Sequence, residues 1–324
     1  MKIFDKDCIS KIGEKTLIKR VCNIFNSVCP PSPYGSGDDC ALIEKRSLSD
    51  NVFVTVDSLI YGKHFDYSTP PRLAGEKLLK RNISDIASMG ATPSSAVIAA
   101  VISGNVSLSW LEDFSRGIAD VAQRYNMKII GGDFADSGVD QFFSMSLTLL
   151  GTSDNSALVR NSAMEGNVIY CTGKLGYSFD SNRHLTFEPR VKEGLFLADY
   201  NQRKNCAKIT SCTDISDGLA CDINNILYPE TKAVLDFIPV FNFNGMQSIE
   251  RALCDGEDYE LLFSVSGTSQ QILDFENEYK RYFPEALYRL GYVQKKEHSS
   301  ESSLWLNIDG TTKPFSSSGF IHFA

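Results

Sequence analysis

Helix and strand signals follow one another directly in residues 72–103, RLAGEKLLKRNISDIASMGATPSSAVIAAVIS. Pro70 and Pro71 precede a pattern that places apolar side chains on one helical face, and Gly90 is a typical C-terminal stop. The apolar run at 94–103 then predicts a long strand. The stretch therefore predicts a helix that passes directly into a strand, which is the building pattern of α/β domains.

Helices and strands alternate on both sides of this stretch. A strand is expected at 51–59, ending at Asp57, because its apolar and polar residues alternate and several are β-branched. The other elements expected in the first half are a helix from Glu14 towards Val28, a strand at Cys40–Glu44, a Ser-capped helix at 107–126, a short strand at Lys128–Ile130 and a strand at 141–151. Those expected in the second half are strands at 167–173, 259–265, 287–293 and 303–309 and helices at 188–200, 214–227 and 268–282. Strand pairs separated by helices in both halves favour two α/β domains with mixed sheets.

Composition excludes several classes of protein. The net charge is −8 and the isoelectric point is near 5.1, whereas a protein that binds nucleic acid backbone needs a basic surface. We find no signal-peptide apolar region and no apolar run of about 18 residues, so we expect a cytoplasmic protein that does not contact a membrane. The nine cysteines contain no C-x-x-C pair, and there are only four histidines, which argues against a zinc site or a disulfide framework.

Aspartates recur at predicted element ends and turns. They are Asp38 and Asp39 in GSGDDC, Asp57, Asp85, Asp133, and Asp214 and Asp217 in DISDG. A single aspartate of this kind is often only a turn or cap residue, because its side chain can bond nearby backbone. Five such places in one acidic chain favour a common functional role for these aspartates. The DISDG stretch is the most informative, because Ser216 and Asp217 are expected at a helix N-terminus, where backbone N–H groups attract anions.

Converging carboxylates require cations. Two like charges about 4 Å apart repel by roughly 4 kcal/mol at an effective dielectric near 20, so several together must bind cations or shift their pKa values. Oxygen ligands without His or Cys favour Mg²⁺, Ca²⁺ or Mn²⁺. Mg²⁺ sites are usually completed by substrate phosphates, so the pattern predicts metal ions shared between aspartates and a nucleotide. The chain contains neither a P-loop nor a protein-kinase motif set, so a phosphoryl-transfer enzyme here needs a different phosphate site.

The chain resembles the thiamine-monophosphate kinase family, within the superfamily of aminoimidazole ribonucleotide synthetase and selenophosphate synthetase. The matching stretches occur in family order over nearly the whole chain: GDDCALI (37–43), VDSLIYGKHF (56–65), RNISDIASMGATP (81–93), IIGGDFADSG (129–138), ALVRNSAMEGNVIYCTG (157–173), DISDGLACDINNIL (214–227), DGEDYELLFSV (255–265) and GFIHFA (319–324). The resemblance implies an N-terminal domain at 1–150 that binds metal and ATP and dimerises through its sheet. It also implies a C-terminal α/β domain at 151–324 that completes the nucleotide and substrate site.

The resemblance further implies ATP-dependent, Mg²⁺-assisted phosphorylation of thiamine phosphate to thiamine diphosphate by direct in-line transfer. Several Mg²⁺ ions are expected, and a K⁺ requirement is left open. Residue by residue, it implies catalytic roles for Asp133, Asp214 and Asp217 and nucleotide contacts at Gly132, Asp133, Arg160 and Ser216. The implied substrate contacts are His64, Glu257 and Phe320. The implied metal ligands are Asp39, Thr55, Val56, Asp57, Asp85, Asp133, Asp214 and Asp217.

The chain departs from the family pattern at several places around the expected pocket. Val56 stands where the family usually has threonine, so only its carbonyl can bind a metal, and Phe134 and Ala135 replace a threonine pair after GGD. Gly176, Tyr177 and Ser178 replace a Gly-Asp-Ser, and the helix that usually precedes RHL is missing. Ile321 replaces an aspartate. We therefore expect a raised KM for ATP with an ordinary KM for thiamine phosphate.

Two alternatives to this kinase stay open at the level of sequence. The first is a nucleotide-binding protein that has kept the metal site and lost phosphoryl transfer. The second is a superfamily enzyme with another acceptor; selenophosphate synthesis is disfavoured, because neither Cys8 nor Cys22 lies in a glycine-rich loop.

Overall fold

The computed structural model describes residues 3–4, 14–28, 30, 51–284, 287–308 and 310–315. The predicted strand at Cys40–Glu44 and the predicted site residues Asp39 and Phe320 lie outside this part of the chain. Contacts divide the chain into two compact units, Met1–Ile86 with Thr92–Asp154, and Ala87–Ala91 with Asn155–Ala324. The division at residues 154 and 155 lies close to the expected domain boundary; the functions expected of the two domains stay predictions.

Unit 1 contains a four-stranded mixed sheet with helices on one face. Its elements are α1 (Glu14–Ile24), β1 (Asn51–Ile60), α2 (Pro71–Ser88, whose last residues belong to unit 2), β2 (Thr92–Ile102), α3 (Leu108–Arg124), β3 (Lys128–Asp136) and β4 (Phe143–Ser153). The strand order is β1-β4-β2-β3; β4 is antiparallel to β1 and to β2, and β3 is parallel to β2. The predicted apolar face of α2 is confirmed, since all four of its members are at most 1% exposed: Leu79, Ile83, Ile86 and Ala87.

Helices α2 and α3 of unit 1 approach closely at two glycines. A Cβ atom on Gly75 would lie 1.9 Å from the Phe114 carbonyl oxygen, and one on Gly117 would lie 2.0 Å from the Arg72 carbonyl oxygen. No larger residue fits at either position without moving the two helix backbones apart. Helix α3 packs on the sheet, where the Trp110 ring contacts the ring of Phe143 of β4 edge to face with centroids 5.2 Å apart.

The opposite face of the unit 1 sheet carries exposed valines. In β1, Val54 and Val56 are 63% and 62% exposed, and in β2, Val97 is 39% exposed. The register places Val56 opposite Thr148 of β4, and Thr148 opposite Val97, so these side chains share a face. We call this surface, with Val52 and Val101, the valine face.

Unit 2 contains a seven-stranded mixed sheet covered by helices on both faces. Its elements are β5 (Val168–Cys171), α4 (Arg183–Thr186), α5 (Val191–Gln202), β6 (Lys208–Asp214), α6 (Leu219–Ile226), β7 (Thr231–Leu235), α7 (Ile249–Cys254), β8 (Leu261–Ser266), α8 (Ser269–Tyr282), β9 (Tyr288–Lys295), β10 (Leu304–Ile308) and β11 (Thr311–Pro314). The strand order is β11-β10-β7-β9-β5-β8-β6. One core lies beneath α6 and α7 and another beneath α5 and α8. The two mixed sheets confirm the predicted α/β class, and no helix in the described ranges is long and apolar enough to cross a membrane.

Two strand ends were predicted wrongly. β1 does not end at Asp57, because its ladder with β4 continues to Ile60 opposite Ser144. β3 does not end at Ile130, because it pairs with β2 as far as Asp136. Asp57 and Asp133 therefore lie inside strands, whereas Asp214 does end one, the unpredicted strand β6.

Candidate active site

Three charged residues of α2 lie four positions apart and contact β1 and the turn that follows it. They are Lys77, Arg81 and Asp85, and we call them the α2 stripe. The Lys77 Nζ donates to the His64 carbonyl oxygen over 2.8 Å. The Thr55 hydroxyl donates to Asp85 Oδ2 over 2.6 Å. The stripe thus brings two predicted metal ligands, Thr55 and Asp85, into direct contact.

Arg81 of the stripe contacts a third predicted metal ligand, Asp57. Its Nη2 lies 3.3 Å from Asp57 Oδ1, and its Nη1 donates to the Ser58 carbonyl oxygen over 2.8 Å. Arg81 is buried, so this guanidinium is a fixed cation beside Asp57. Val56 lies between Thr55 and Asp57, with its side chain on the valine face, which leaves its carbonyl as the atom for the predicted metal role.

Gly132 and Asp133 lie on β3, the strand at the opposite edge of the same sheet. The register leads from Asp57 on the edge strand β1 across β4 and β2 to Gly132 on the other edge strand, β3. Three strand spacings correspond to about 14 Å, which is too far for Asp57 and Asp133 of one sheet to bind one ion. Asp133 is exposed and pairs with Ala99, on the same face as the exposed valines.

His64 lies in the turn after β1. It is 7% exposed, and its Nδ1 accepts a hydrogen bond of 3.0 Å from the Ile60 N–H. The next residue, Phe65, stacks on Trp110 with ring centroids 5.7 Å apart. These contacts fix the backbone around His64; its predicted contact with substrate stays a prediction.

In unit 2, the turn of residues 214–218 connects β6 to α6; we call it the Asp214 turn. Asp214 is 2% exposed, and Gly218 has φ of +98°, which glycine adopts without strain. Asp222 of α6 reaches back into the turn, where its Oδ2 accepts from the N–H groups of Ser216 and Asp217 over 3.0 and 2.9 Å. These N–H groups are therefore held by Asp222, and the helix itself begins only at Leu219.

Negative charge accumulates at this turn. Burial, followed by the charge of Asp214, raises the pKa of Asp222 from its ordinary value to about 8. Carboxylate oxygens of Asp217 and Asp222 and the sulfur of Cys221 lie within 4.8 Å of one another. Burial also raises the pKa of the Cys221 thiol. The turn thus has the oxygen-donor chemistry that suits a divalent cation.

The loop of residues 255–259, which we call the Glu257 loop, lies directly against the Asp214 turn. The Glu257 N–H donates to the Ser216 carbonyl oxygen over 2.7 Å, and the Tyr259 N–H donates to the Ile215 carbonyl oxygen over 2.8 Å. Gly256, Glu257 and Tyr259 have φ of +70°, +57° and +53°. Two non-glycine residues in this left-handed region are strained, which is common where a backbone is shaped for a site.

Arg160 lies beside the same strand end. The carbonyl oxygen of its neighbour Val159 accepts from the Cys212 N–H over 2.8 Å, two residues before Asp214. The positive charge of Arg160 is close enough to act on the Cys212 thiol, although burial dominates and raises the pKa of that thiol. Unit 2 therefore gathers five predicted site residues around one strand end: Arg160, Asp214, Ser216, Asp217 and Glu257.

Residues 173–182 form turns without a helix, as expected from the missing family segment. They are nevertheless held firmly, because the buried Asp258 accepts from the Gly176 N–H over 3.0 Å and from the Ser178 hydroxyl over 2.6 Å. Sequence reasoning missed Asp258, Asp222 and Arg81 as parts of the site. Of these three residues, only Arg81 had a signal in the sequence, which is its place in the four-residue spacing of the α2 stripe.

Comparison with known proteins first defines a class. Residues 37–153 match the family of AIR synthase related proteins, N-terminal domain. A hydrogenase maturation protein HypE solved with ATP has a TM-score of 0.71 and 15% identity, and the alignment covers 96% of this chain and 97% of that one. The match gives the chain an N-terminal domain of the AIR synthase related class, and the HypE structure shares the fold of the chain.

Closer relatives define the family. The thiamine-monophosphate kinase of Buchnera aphidicola subsp. Schizaphis graminum is 31% identical over 318 residues, covering 89% of this chain and 92% of the relative. The enzyme of Escherichia coli K12 is 31% identical over 294 residues, covering 81% and 85%. The crystal structure from Stenotrophomonas maltophilia K279a has 25% identity and a TM-score of 0.68, covering 91% of this chain and 96% of that one. The chain belongs to the thiamine-monophosphate kinase family.

Proposed function

We propose that this chain transfers the γ-phosphoryl group of ATP to thiamine phosphate, producing thiamine diphosphate and ADP. The observation that carries the proposal is the 31% sequence identity with a thiamine-monophosphate kinase in an alignment that covers 89% of the chain. The structure of AaThiL in complex with AMPPCP and TMP has the same fold. Its alignment with this chain has a TM-score of 0.69 and covers 97% of this chain and 98% of that one. The carboxylates of the Asp214 turn and the nearby Arg160 support the proposal, because phosphoryl transfer depends on positioning and on neutralising charge.

The chain's own residues act mainly by positioning and by charge. Phosphoryl transfer requires little covalent chemistry beyond aligning the acceptor oxygen with the γ-phosphorus and neutralising charge. The guanidinium of Arg160 can donate two hydrogen bonds to phosphate oxygens. Asp222 fixes the backbone of Ser216 and Asp217, so the groups that face the phosphates are ordered before substrate binds. Glu257 is positioned on the same turn to contact the acceptor.

The residues present fit Mg²⁺. In unit 1, Thr55, Asp57 and Asp85 supply oxygen atoms only, and in unit 2, Asp214 and Asp217 supply oxygen atoms beside Asp222, whose pKa is raised by burial and then by the charge of Asp214. When bound, Mg²⁺ neutralises charge on the phosphates. A K⁺ requirement and a cytoplasmic location are further predictions of the same proposal.

We further propose that the chain is a homodimer formed through the valine face. Five exposed valines lie on one face of the sheet, on β1 and β2 with β4 between them, and so many exposed apolar side chains on one face are unusual on a monomer. Asp133 lies on this face and about 14 Å from Asp57 in the same sheet. Association of two copies through the valine face would therefore place Asp133 at the interface.

The test is a reaction of purified protein with ATP, Mg²⁺ and thiamine phosphate, followed by chromatography of the thiamine compounds and of ADP. Equal amounts of thiamine diphosphate and ADP are expected, and excess EDTA should abolish both. Thiamine in place of thiamine phosphate serves as the acceptor control. Absence of thiamine diphosphate under these conditions, with folded protein, would overturn the proposal.

Substitution of the aspartates tests the site separately. Asp214→Asn and Asp133→Asn should each lower kcat by at least about a hundredfold, because removing one preorganised charged group costs about 2.7–4 kcal/mol in comparable sites. Asp154→Asn is the matched control, since Asp154 is exposed and no role is assigned to it. Near wild-type turnover of both site variants at saturating Mg²⁺ would refute the ligand assignment.

A further inference from the structure

The Glu257 loop ends at a buried ion pair. Glu260, the residue directly after the loop, is buried, and both oxygens of its carboxylate accept hydrogen bonds from the guanidinium of Arg190. The Arg190 Nε donates to Glu260 Oε2 over 2.6 Å, and the Arg190 Nη2 donates to Glu260 Oε1 over 2.7 Å. Two parallel hydrogen bonds of this kind fix the orientation of a carboxylate as well as its position.

The chain directly after β5 completes the surroundings of this carboxylate. The hydroxyl of the buried Thr172 donates to Glu260 Oε2 over 2.7 Å, and the same hydroxyl oxygen accepts from the Leu261 N–H over 2.8 Å. A Cβ atom on the next residue, Gly173, would lie 2.1 Å from Glu260 Oε1, so the carboxylate fits here because that position has no side chain. We call Arg190, Thr172 and Glu260 the Glu260 anchor.

The backbone of the Glu260 anchor pairs with the Asp214 turn. The Ile215 N–H donates to the Glu260 carbonyl oxygen over 2.8 Å, and the Tyr259 N–H donates to the Ile215 carbonyl oxygen over 2.8 Å. Ile215 directly follows Asp214 in the chain. An expected metal ligand and the loop that carries the expected acceptor contact are therefore joined by backbone hydrogen bonds next to the Glu260 carboxylate.

The Glu257 loop needs a restraint of this kind because its backbone is strained. Glu257 and Tyr259 have φ of +57° and +53°, and residues other than glycine keep such a conformation only where the surrounding structure imposes it. A buried ion pair is a poor means of stabilising a fold, because the loss of hydration offsets much of the attraction between the charges. What the pair adds is a fixed geometry at the end of the loop.

We infer that Arg190, Thr172 and Glu260 are positioning residues for phosphoryl transfer. They hold the Glu257 loop against the Asp214 turn in one relative position, which aligns the acceptor phosphate with the γ-phosphorus of ATP. This inference rests on the proposed function. Alignment of the reacting groups acts on the rate of transfer, and a misplacement of about 1 Å can lower that rate about a hundredfold.

The experiment compares Arg190→Lys and Thr172→Val in steady-state kinetics, with rates expressed per folded protein. Arg190→Lys keeps the positive charge and loses the paired donors, whereas Thr172→Val keeps the volume of the side chain and loses the hydroxyl. Each variant should lower kcat about tenfold or more, while the KM values for ATP and for thiamine phosphate change by less than about threefold. Thr172→Ser retains the hydroxyl and should keep the wild-type kcat.

Arg203→Lys is the matched control. Arg190 and Arg203 flank the two ends of α5, and the Arg203 Nη1 lies 2.6 Å from Oε1 of Glu278 on α8. The same substitution therefore weakens a second ion pair of unit 2 and should leave kcat unchanged. Thermal unfolding of both lysine variants separates the two effects, because a loss of stability alone lowers the melting temperature without lowering kcat per folded protein.

The outcomes separate this inference from the function on which it rests. Folded Arg190→Lys and Thr172→Val proteins with wild-type kcat would overturn the inference alone, and Thr172→Val decides by itself if Arg190→Lys does not fold. A raised KM with unchanged kcat would assign these residues to substrate binding and would also overturn it, as would an equal loss of kcat in Arg203→Lys. A folded wild-type protein that forms no thiamine diphosphate would overturn the proposed function, and the inference with it.

Discussion

Burial decides the charge state of Asp258. Desolvation of this fully enclosed carboxyl raises its pKa from the ordinary 3.8 to about 7, in spite of hydrogen bonds from Ser178 and Gly176 that favour the ionised form. The folded state therefore holds a proton there that the unfolded state has lost above about pH 4. The stability that this proton contributes is complete below the unfolded pKa and is lost as pH rises through about 7.

We predict that the free energy of unfolding falls between pH 5 and pH 8, by at most about 4 kcal/mol for Asp258. Asp222, whose pKa is raised in the same direction, contributes with the same sign, so the comparison with a variant isolates Asp258. Asp258→Asn retains an acceptor oxygen and cannot ionise, and its stability should depend less on pH. Urea unfolding of both proteins at the two pH values measures the difference, and identical slopes would contradict the prediction.

Site residues could be predicted from the sequence where they lie close together in the chain. Asp214, Ser216 and Asp217 form one short turn, and the family motif marks them together. Their partners were not visible, because Asp222 turns back from the next helix and Arg81 reaches Asp57 from another element. Such contacts depend on packing between elements, which a motif of adjacent residues does not encode.

At the scale of elements, the crossing of α2 and α3 depends on glycine. Alanine favours a helix over glycine by up to about 1 kcal/mol, so Gly117→Ala would stabilise an isolated helix. In the structure the added Cβ would lie 2.0 Å from the Arg72 carbonyl oxygen, so the helices must separate. Overpacking of this kind typically costs about 1–3 kcal/mol.

We therefore predict that Gly117→Ala lowers the free energy of unfolding by at least about 1 kcal/mol, in spite of the better helix propensity. Gln123→Ala is the control on the same helix, because Gln123 is exposed and its replacement should change stability by no more than about 0.5 kcal/mol. The free energies of unfolding of both variants are measured by denaturant unfolding. A stabilised Gly117→Ala protein would show that the helices adjust freely.

The kinds of element were predictable, and their ends were less so. Periodicity identified α2, α3 and β2, since their apolar faces are buried against a core. It missed β6, KITSCTD, because Ser211 and Thr213 are polar and yet fully buried in the ladder with β8. The sequence prediction ended β1 at Asp57, because aspartate is uncommon inside strands. In the structure the strand continues, and the Arg81 guanidinium lies beside the Asp57 carboxylate.

At the scale of the whole molecule, the valine face predicts self-association. Sedimentation at micromolar concentration should give a dimer of the wild-type protein. Val54→Asp and Val97→Asp place charge on the face and should each shift the protein towards monomer, with the secondary structure retained. Leu273→Asp on α8 is the control, because Leu273 is 48% exposed in unit 2 and should leave the dimer intact. A monomeric wild-type protein would refute the proposed dimer.

The connection between the turn of residues 176–178 and the Glu257 loop also has a consequence for the order of folding. The hydrogen bonds that hold this turn join residues 78, 80 and 82 positions apart in the chain. Contacts over such separations close long loops, whose entropy is lost before the contact is gained. We expect the helices, whose contacts are local, to form first, and this connection to form later together with the sheet ladders, which also join distant residues. During refolding, the capacity to bind thiamine phosphate should therefore return later than the helical circular dichroism signal.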